Sequence, residues 1–248
     1  MQIQFEAKEA TIKLVYYGPA LSGKTTNLRS LHDMTKQESR GRLMTLETRD
    51  DRTLFFDVLP FIFRPEEGEG RPSMPNSITL RVKIFTVPGQ VIHGSTRKLL
   101  LQGADGVVFV ADAQRSQAQA NADSFLNLRN NLSELGVAIK DLPLVIQFNK
   151  RDLDDSRTPE DVEELAARGR EPVYWASAIS GEGVLESFFA LLHLTWMHLD
   201  RSHKLSEMLG IESHRFIELT ARQLGVEMSF DRLCEHAVSG SLERRSLL

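Results

Sequence analysis

The sequence predicts an α/β fold, a mainly parallel sheet flanked by helices, that runs on into a C-terminal helical extension. Three observations carry this. Short apolar, β-branched runs recur between residues 11 and 177, amphipathic stretches separate most of them, and beyond Asp200 only helical spacing remains.

The first strand is Thr11 to Tyr17, an apolar and aromatic run that ends at Gly18. A helix follows from Lys24 to Lys36, with Leu28, Leu31 and Met34 on one side and no internal Gly or Pro. Further strands are read at 77–87, 106–112, 143–149 and 172–177, and further helices at 124–135, 160–168 and 184–199. Segment 64–77, RPEEGEGRPSMPNS, has the prolines, glycines and acidic residues of an exposed hairpin loop between two strand-like runs. The chain therefore divides into a unit at 1–200 and an extension at 201–248. In the extension, Phe216, Ile217, Thr220 and Leu224 form one apolar stripe and Phe230, Leu233, Cys234, Ala237 and Val238 another, with Gly225 between them. Each stripe must be buried, against the core, another copy or a partner.

Composition narrows the class. Hydrophobic residues at 41% and charged residues at 26% are those of a soluble globular protein, and a net charge of −4 leaves no electrostatic footprint for nucleic acid. The single cysteine, Cys234, cannot form an intramolecular disulfide, and MQIQFEAKEA lacks the regions of a secretory signal. A cytoplasmic location is expected. There is no apolar run of about 18 residues, no glycine at position 2 for myristoylation and no prenylation cysteine, so no direct membrane insertion is expected.

Gly18-Pro19-Ala20-Leu21-Ser22-Gly23-Lys24-Thr25 matches G-x-x-x-x-G-K-[ST]. In such a loop the backbone N–H groups from Gly18 and Ala20 through Leu21, Ser22 and Gly23 to Thr26 cradle phosphates, Lys24 reaches the β and γ oxygens, and the Thr25 hydroxyl ligates Mg²⁺. The motif ends an apolar strand and opens a helix, whose N-terminal dipole adds to the attraction for an anion. Farther on, Asn149-Lys150-Arg151-Asp152 ends a strand on the side of the sheet where open α/β folds bind ligands. A carboxylate at Asp152 accepts from N1–H and the exocyclic amine of guanine, a donor pair that adenine lacks. Ser177-Ala178 closes a later strand, where a backbone N–H meets guanine O6. An ATP-using kinase or motor would leave Asp152 without a purpose.

GPALSGKT, TVPGQ, NKRD and ASA together resemble the Ras-like small GTPases of P-loop fold. VYYGPALSGKTTNL, DRTLFFDVLP, TVPGQV, RKLLLQGADGVVFVADAQ and VIQFNKRDL narrow the resemblance to the bacterial MglA family, the GTPases of gliding motility and cell polarity, over residues 11 to about 199. The resemblance implies a monomeric switch that binds GTP or GDP with Mg²⁺ and hydrolyses GTP slowly, a dimeric roadblock-fold activator of the MglB type, and effectors that the sequence does not identify. It also implies roles for particular residues. Gln90 holds the position of the water-orienting glutamine, Gly89 senses the γ-phosphate, Thr53 is the metal-binding threonine of the first switch, and Arg52 is an arginine supplied in cis to the developing charge. One departure stands out. Most Ras-like proteins read D-x-x-G-Q where this chain has Thr86-Val87-Pro88-Gly89-Gln90, so Mg²⁺ depends more on Thr25 and the phosphates. Thr86 and Pro88 also admit another function, a nucleotide-locked scaffold with little turnover.

Overall fold

The computed structural model describes residues 1–4, 9–39, 41, 43–45, 57–63, 79–88 and 94–231. Its frame is one sheet of eight strands: β1 (Gln2–Gln4), β2 (Glu9–Tyr17), β3 (Met44–Thr45), β4 (Asp57–Phe63), β5 (Thr79–Thr86), β6 (Gly106–Asp112), β7 (Leu144–Asn149) and β8 (Val173–Trp175). The order is β3-β4-β5-β2-β6-β7-β8, with β1 paired to β2. Strands β5, β2, β6, β7 and β8 run parallel; β1, β3 and β4 pair antiparallel with their neighbours. The sheet winds outward in both directions from β2, which places the topological switch point at the carboxyl end of that strand.

Period-two alternation explains why both faces are covered. On β2, Ile12, Leu14 and Tyr16 enter one buried cluster and Val15 and Tyr17 the other; on β6, Val108 and Val110 enter the first and Val107, Phe109 and Ala111 the second. Helices α1 (Lys24–Asp33), α5 (Val184–His203), α6 (Leu205–Leu209) and α7 (Ser213–Leu224) cover the first face. Helices α2 (Gly94–Leu101), α3 (Ala118–Glu134) and α4 (Pro159–Arg168) cover the second.

The strands read from the sequence agree with those observed to within two residues at each end. Helix bounds differ more. Helix α3 starts at Ala118, six residues before the start read from periodicity, because its first turn is held by a polar contact: Asn121 Oδ1 accepts from the Asp112 N–H at 2.9 Å and its Nδ2 donates to the Asp112 carbonyl at 2.8 Å. Helix α1 ends at Asp33 rather than Lys36, and α5 runs four residues past Leu199. Strands β1 and β3 and helices α2 and α6 were not read from sequence; they are short, and an element of two to eight residues carries little periodicity. Helix α4 is well signalled, with Thr158 and Asp161 forming a reciprocal capping box and Pro159 in the first turn. The loop at 64–77 and the second tail stripe beyond Asp231, with Cys234, lie outside the described residues.

The tail up to Asp231 packs on the first face. Trp196 of α5 stacks on Phe216 of α7 with ring centroids 4.1 Å apart and 22° between planes, and Ile217, Leu219 and Leu224 join the same cluster. Helix α7 ends at Leu224 and is capped by Gly225, the residue that separates the two apolar stripes. The Leu224 carbonyl accepts from the Lys36 N–H at 2.8 Å, tying the extension to the turn after α1. Phe216→Ala is expected to lower unfolding stability by about 3–5 kcal/mol, the usual cost of emptying a fully buried aromatic site. Urea unfolding checks this, and a loss below about 1 kcal/mol would mean that α7 is not part of the cooperative core.

Candidate functional site

The loop Gly18–Gly23 leaves β2 at the switch point and enters α1. Two glycines are required by space. A Cβ on Gly18 would lie 2.2 Å from the Val110 carbonyl oxygen, and one on Gly23, at φ 93°, would lie 2.1 Å from Asn149 Nδ2. Leu21 also sits in the left-handed region, φ 62°, and its side chain is 88% exposed, so it contributes backbone rather than packing. Ala20 and Thr26 are exposed, Thr25 is half-buried, and Ser22 is buried with no partner for its Oγ among the described residues.

Lys24 is 6% exposed. Its Nζ donates to the carbonyls of Gly18 at 3.0 Å and Pro19 at 2.6 Å. Burial, and then the nearby Arg97 guanidinium, push its ammonium down to about 7. A cationic head held at that cost beside a turn of backbone N–H groups is suited to an anion with several charges.

The Asn149 side chain connects this loop to the far side of the site. Its Nδ2 donates to the Ser22 carbonyl at 2.8 Å, and its Oδ1 accepts from the Ala178 N–H at 2.8 Å. Lys150 follows in the left-handed conformation, φ 70°, and its Nζ pairs with Asp112 Oδ2 at 2.5 Å. Asp152 accepts from Ser177 Oγ at 2.6 Å and lines an open hollow of about 460 Å³ together with Arg151, Trp175, Ser177, Ile179 and Glu182. The Arg151 guanidinium lies over the Trp175 ring at 5.1 Å and pairs with Glu182. The sequence assigns a backbone N–H at Ser177-Ala178 to guanine O6. Both N–H groups there have internal acceptors, Ser177 to the Glu182 carbonyl at 3.0 Å and Ala178 to Asn149 Oδ1 at 2.8 Å.

Gly18 to Thr26, Asn149, Lys150, Asp152, Ser177 and Ala178 therefore share one end of the sheet. Arg52, Thr53, Gly89 and Gln90 lie outside the described residues. Thr86, in the place of the usual aspartate, is buried at the end of β5, and the Val87 N–H continues the ladder to the Tyr16 carbonyl at 3.1 Å. Three polar groups behind the loop escaped sequence reading. Gln147 Nε2 donates to Asn27 Oδ1 at 2.9 Å and Ser187 Oγ at 2.8 Å, and Asn27 Nδ2 donates to the Gly23 carbonyl at 3.1 Å. Asp112 also escaped, although an acid at the carboxyl end of a buried parallel strand is a signal of the kind that found Asp152.

No family profile matches the chain. Over 199 residues, 80% of this chain and 97% of the relative, it is 43% identical to the mutual gliding-motility protein MglA of Myxococcus xanthus (strain DK1622). The chain belongs to the MglA family. Its sheet and covering helices are accordingly a Ras-like GTPase fold, with helices on both faces and the phosphate loop at the end of β2. Among the described residues no helix is long and apolar enough to cross a membrane.

Asn149→Ala leaves the Ser22 carbonyl and the Ala178 N–H without their partner in a buried setting. A stability loss of about 1–3 kcal/mol is expected. Chemical unfolding of parent and variant measures it, and equal midpoints would show that the bridge is dispensable to the fold.

Proposed function

We propose that this protein is a small GTPase that acts as a nucleotide-controlled molecular switch, binding GTP or GDP with Mg²⁺, hydrolysing GTP slowly, and controlling cell polarity or motility through partners that bind one nucleotide state. The supporting observation is the Asn149 bridge, which holds a G-x-x-x-x-G-K-T loop and an N-K-R-D segment in one site. The residues fit a nucleotide: two positions where a Cβ would clash, a Ser22 Oγ without a partner among the described residues and a buried lysine head suit a polyphosphate, and the Asp152 carboxylate suits guanine.

In this reading the loop N–H groups from Gly18 and Ala20 to Thr26 and the Lys24 ammonium bind the phosphates. Thr25 and Thr53 supply hard oxygen ligands for Mg²⁺, which when bound neutralises charge on the β and γ oxygens. Gly89 senses the γ-phosphate, Gln90 orients the attacking water, and Arg52 spreads its guanidinium over the charge that develops as the γ-phosphoryl is transferred. Asn149, Lys150, Asp152, Ser177 and Ala178 hold the base. The γ-phosphate orders the loops around 47–60 and 86–98, and hydrolysis releases them. By kinship the activator is a roadblock-fold protein of the MglB type. Residues 1–200 form the GTPase unit of a cytoplasmic monomer, and 201–248 its helical extension.

Single-turnover conversion of loaded GTP to GDP in the presence of Mg²⁺ tests the catalytic reading. Slow conversion is expected, reduced by about 10²-fold or more in Arg52→Ala with GDP affinity nearly unchanged, since the arginine acts on transition-state charge. Indefinite retention of GTP would leave either an absolute need for the activator or the nucleotide-locked scaffold, and displacement of GDP by equimolar ATP would remove Asp152 as the base reader.

Lys24 supplies an independent test. With its pKa near 7 in the free protein, much of it is neutral above that pH. Phosphates beside the head favour the ammonium and raise the pKa, so nucleotide binding takes up a proton at about pH 8 and little at about pH 6, where the lysine is already charged. Binding heats in buffers of different ionisation enthalpy read this uptake. Equal heats in all buffers at the higher pH would show that Lys24 stays charged throughout.

A further inference from the structure

Arg97 lies in α2, seven residues after Gln90, and belongs to none of the nucleotide motifs. It is nonetheless 4% exposed. Its Nε donates to the Pro88 carbonyl at 2.9 Å, and its Nη1 donates to Asn127 Oδ1 of α3 at 2.9 Å. The same Asn127 oxygen accepts from the Tyr17 hydroxyl at 2.5 Å and from Asn131 Nδ2 at 3.1 Å, and Asn131 Nδ2 also donates to the Tyr17 oxygen at 3.0 Å. Tyr17 is the last residue of β2, immediately before Gly18.

This network spans the places where two functional segments leave the sheet. On the β5 side the ladder ends at Val87, whose N–H reaches Tyr16. Pro88 has no N–H to continue it, so its carbonyl is the next backbone group that can be held, and Arg97 holds it. On the β2 side the same cluster grips Tyr17. A buried guanidinium is expensive, and a packing residue of that size would serve the core at lower cost. What only arginine supplies is a rigid planar fork that reaches two acceptors on different elements at fixed angles; the lysine ammonium is a single point on a flexible stem. The depression of the Lys24 pKa by Arg97 agrees with this cluster lying beside the phosphate loop.

We infer that Arg97 is a positioning residue for GTP hydrolysis: by clamping the Pro88 carbonyl to α3 and to the end of β2, it fixes the point at which the chain leaves β5 on its way to Gly89 and Gln90. The inference rests on the GTPase reading above and adds a residue to it. Arg97 acts through Gln90 and touches no reacting atom. Its effect therefore falls chiefly on turnover, beyond any change in nucleotide affinity that removing its charge beside Lys24 brings.

The test uses the full chain loaded with GTP and Mg²⁺ under single-turnover conditions. The proteins compared are the parent, Arg97→Gln, Arg97→Lys, Gln90→Ala and the Arg97→Gln/Gln90→Ala pair, with GDP affinity and thermal unfolding measured for each. Arg97→Gln and Arg97→Lys are each expected to slow hydrolysis by about one to two orders of magnitude, because an ångström of misplacement costs that much. Arg97→Gln should add no further loss on top of Gln90→Ala, the signature of action through that residue. Parental hydrolysis in Arg97→Gln, full additivity with Gln90→Ala, or a loss that merely follows GDP affinity would each overturn the inference. If Arg97→Gln does not fold, Asn127→Ala carries the same test, because it removes the Nη1 acceptor; parental turnover there overturns it. A parent protein that binds GTP and does not turn it over, either alone or with a roadblock-fold activator, is seen before any variant is made, and it sinks the GTPase reading and this inference with it.

Discussion

The site depends on one side chain that makes two hydrogen bonds in opposite directions. Asn149 is the last residue of β7, and its amide is the only feature that joins the Ser22 carbonyl of the phosphate loop to the Ala178 N–H of the β8–α5 loop among the contacts described. An aspartate there could not donate to Ser22, and a lysine or arginine could not accept from Ala178. The amide's two faces thus tie the Gly18–Gly23 loop to the β8–α5 loop, over 120 residues away in the chain. The left-handed Gly23 makes room for that amide, which links a conformational constraint on α1 to a chemical constraint on β7.

Charge is held in this region at a cost that the fold offsets locally. Lys24 and Arg97 are both buried, and each depends on backbone or amide acceptors within hydrogen-bonding distance. Asp112 is buried as well, but it has the Lys150 ammonium and the Gln114 N–H as partners. The negative group has its counter-charge within the protein, while the Lys24 head rests on carbonyls alone in its described hydrogen bonds. On the proposed reading a polyanion supplies the counter-charge that this half of the site lacks among the described contacts.

Sequence and structure agree where a single physical period decides the outcome. The five parallel strands were legible because β6, β7 and the end of β2 are near-continuous apolar runs, while β5 alternates buried Leu80, Val82 and Ile84 with partly exposed residues at period two. The phosphate loop was legible because its chemistry needs glycines at fixed spacing. What escaped was held by tertiary polar contacts, which leave no periodic trace: the first turn of α3 through Asn121, the Gln147–Asn27–Ser187 chain behind the loop, and Arg97 under Pro88. In the sequence, Arg97 is one basic residue in a run RKLLL, and nothing local distinguishes it from its exposed neighbour Lys98. Its burial is decided by α3, which arrives thirty residues later.

The extension poses the same question on a larger scale. Helix α5 carries apolar residues on most of its turns, and Phe188, Leu191 and Leu192 are covered by the sheet and α1. Trp196 and Leu199, near its far end, belong to the same cluster only because α6 and α7 fold back: Leu205 and Phe216 are buried beside them, and Ser206 accepts from the Trp196 indole N–H at 3.4 Å. The relative MglA is matched along nearly its whole length by four-fifths of this chain, so the chain carries length that the relative does not. A large aromatic near the end of α5 and a helix that returns to stack on it are complementary features, since an exposed indole of that size costs solvation and a lone amphipathic helix of twelve residues is marginal in water. Each therefore stabilises the other, and the contact of Leu224 with Lys36 extends that mutual support to the turn that follows α1.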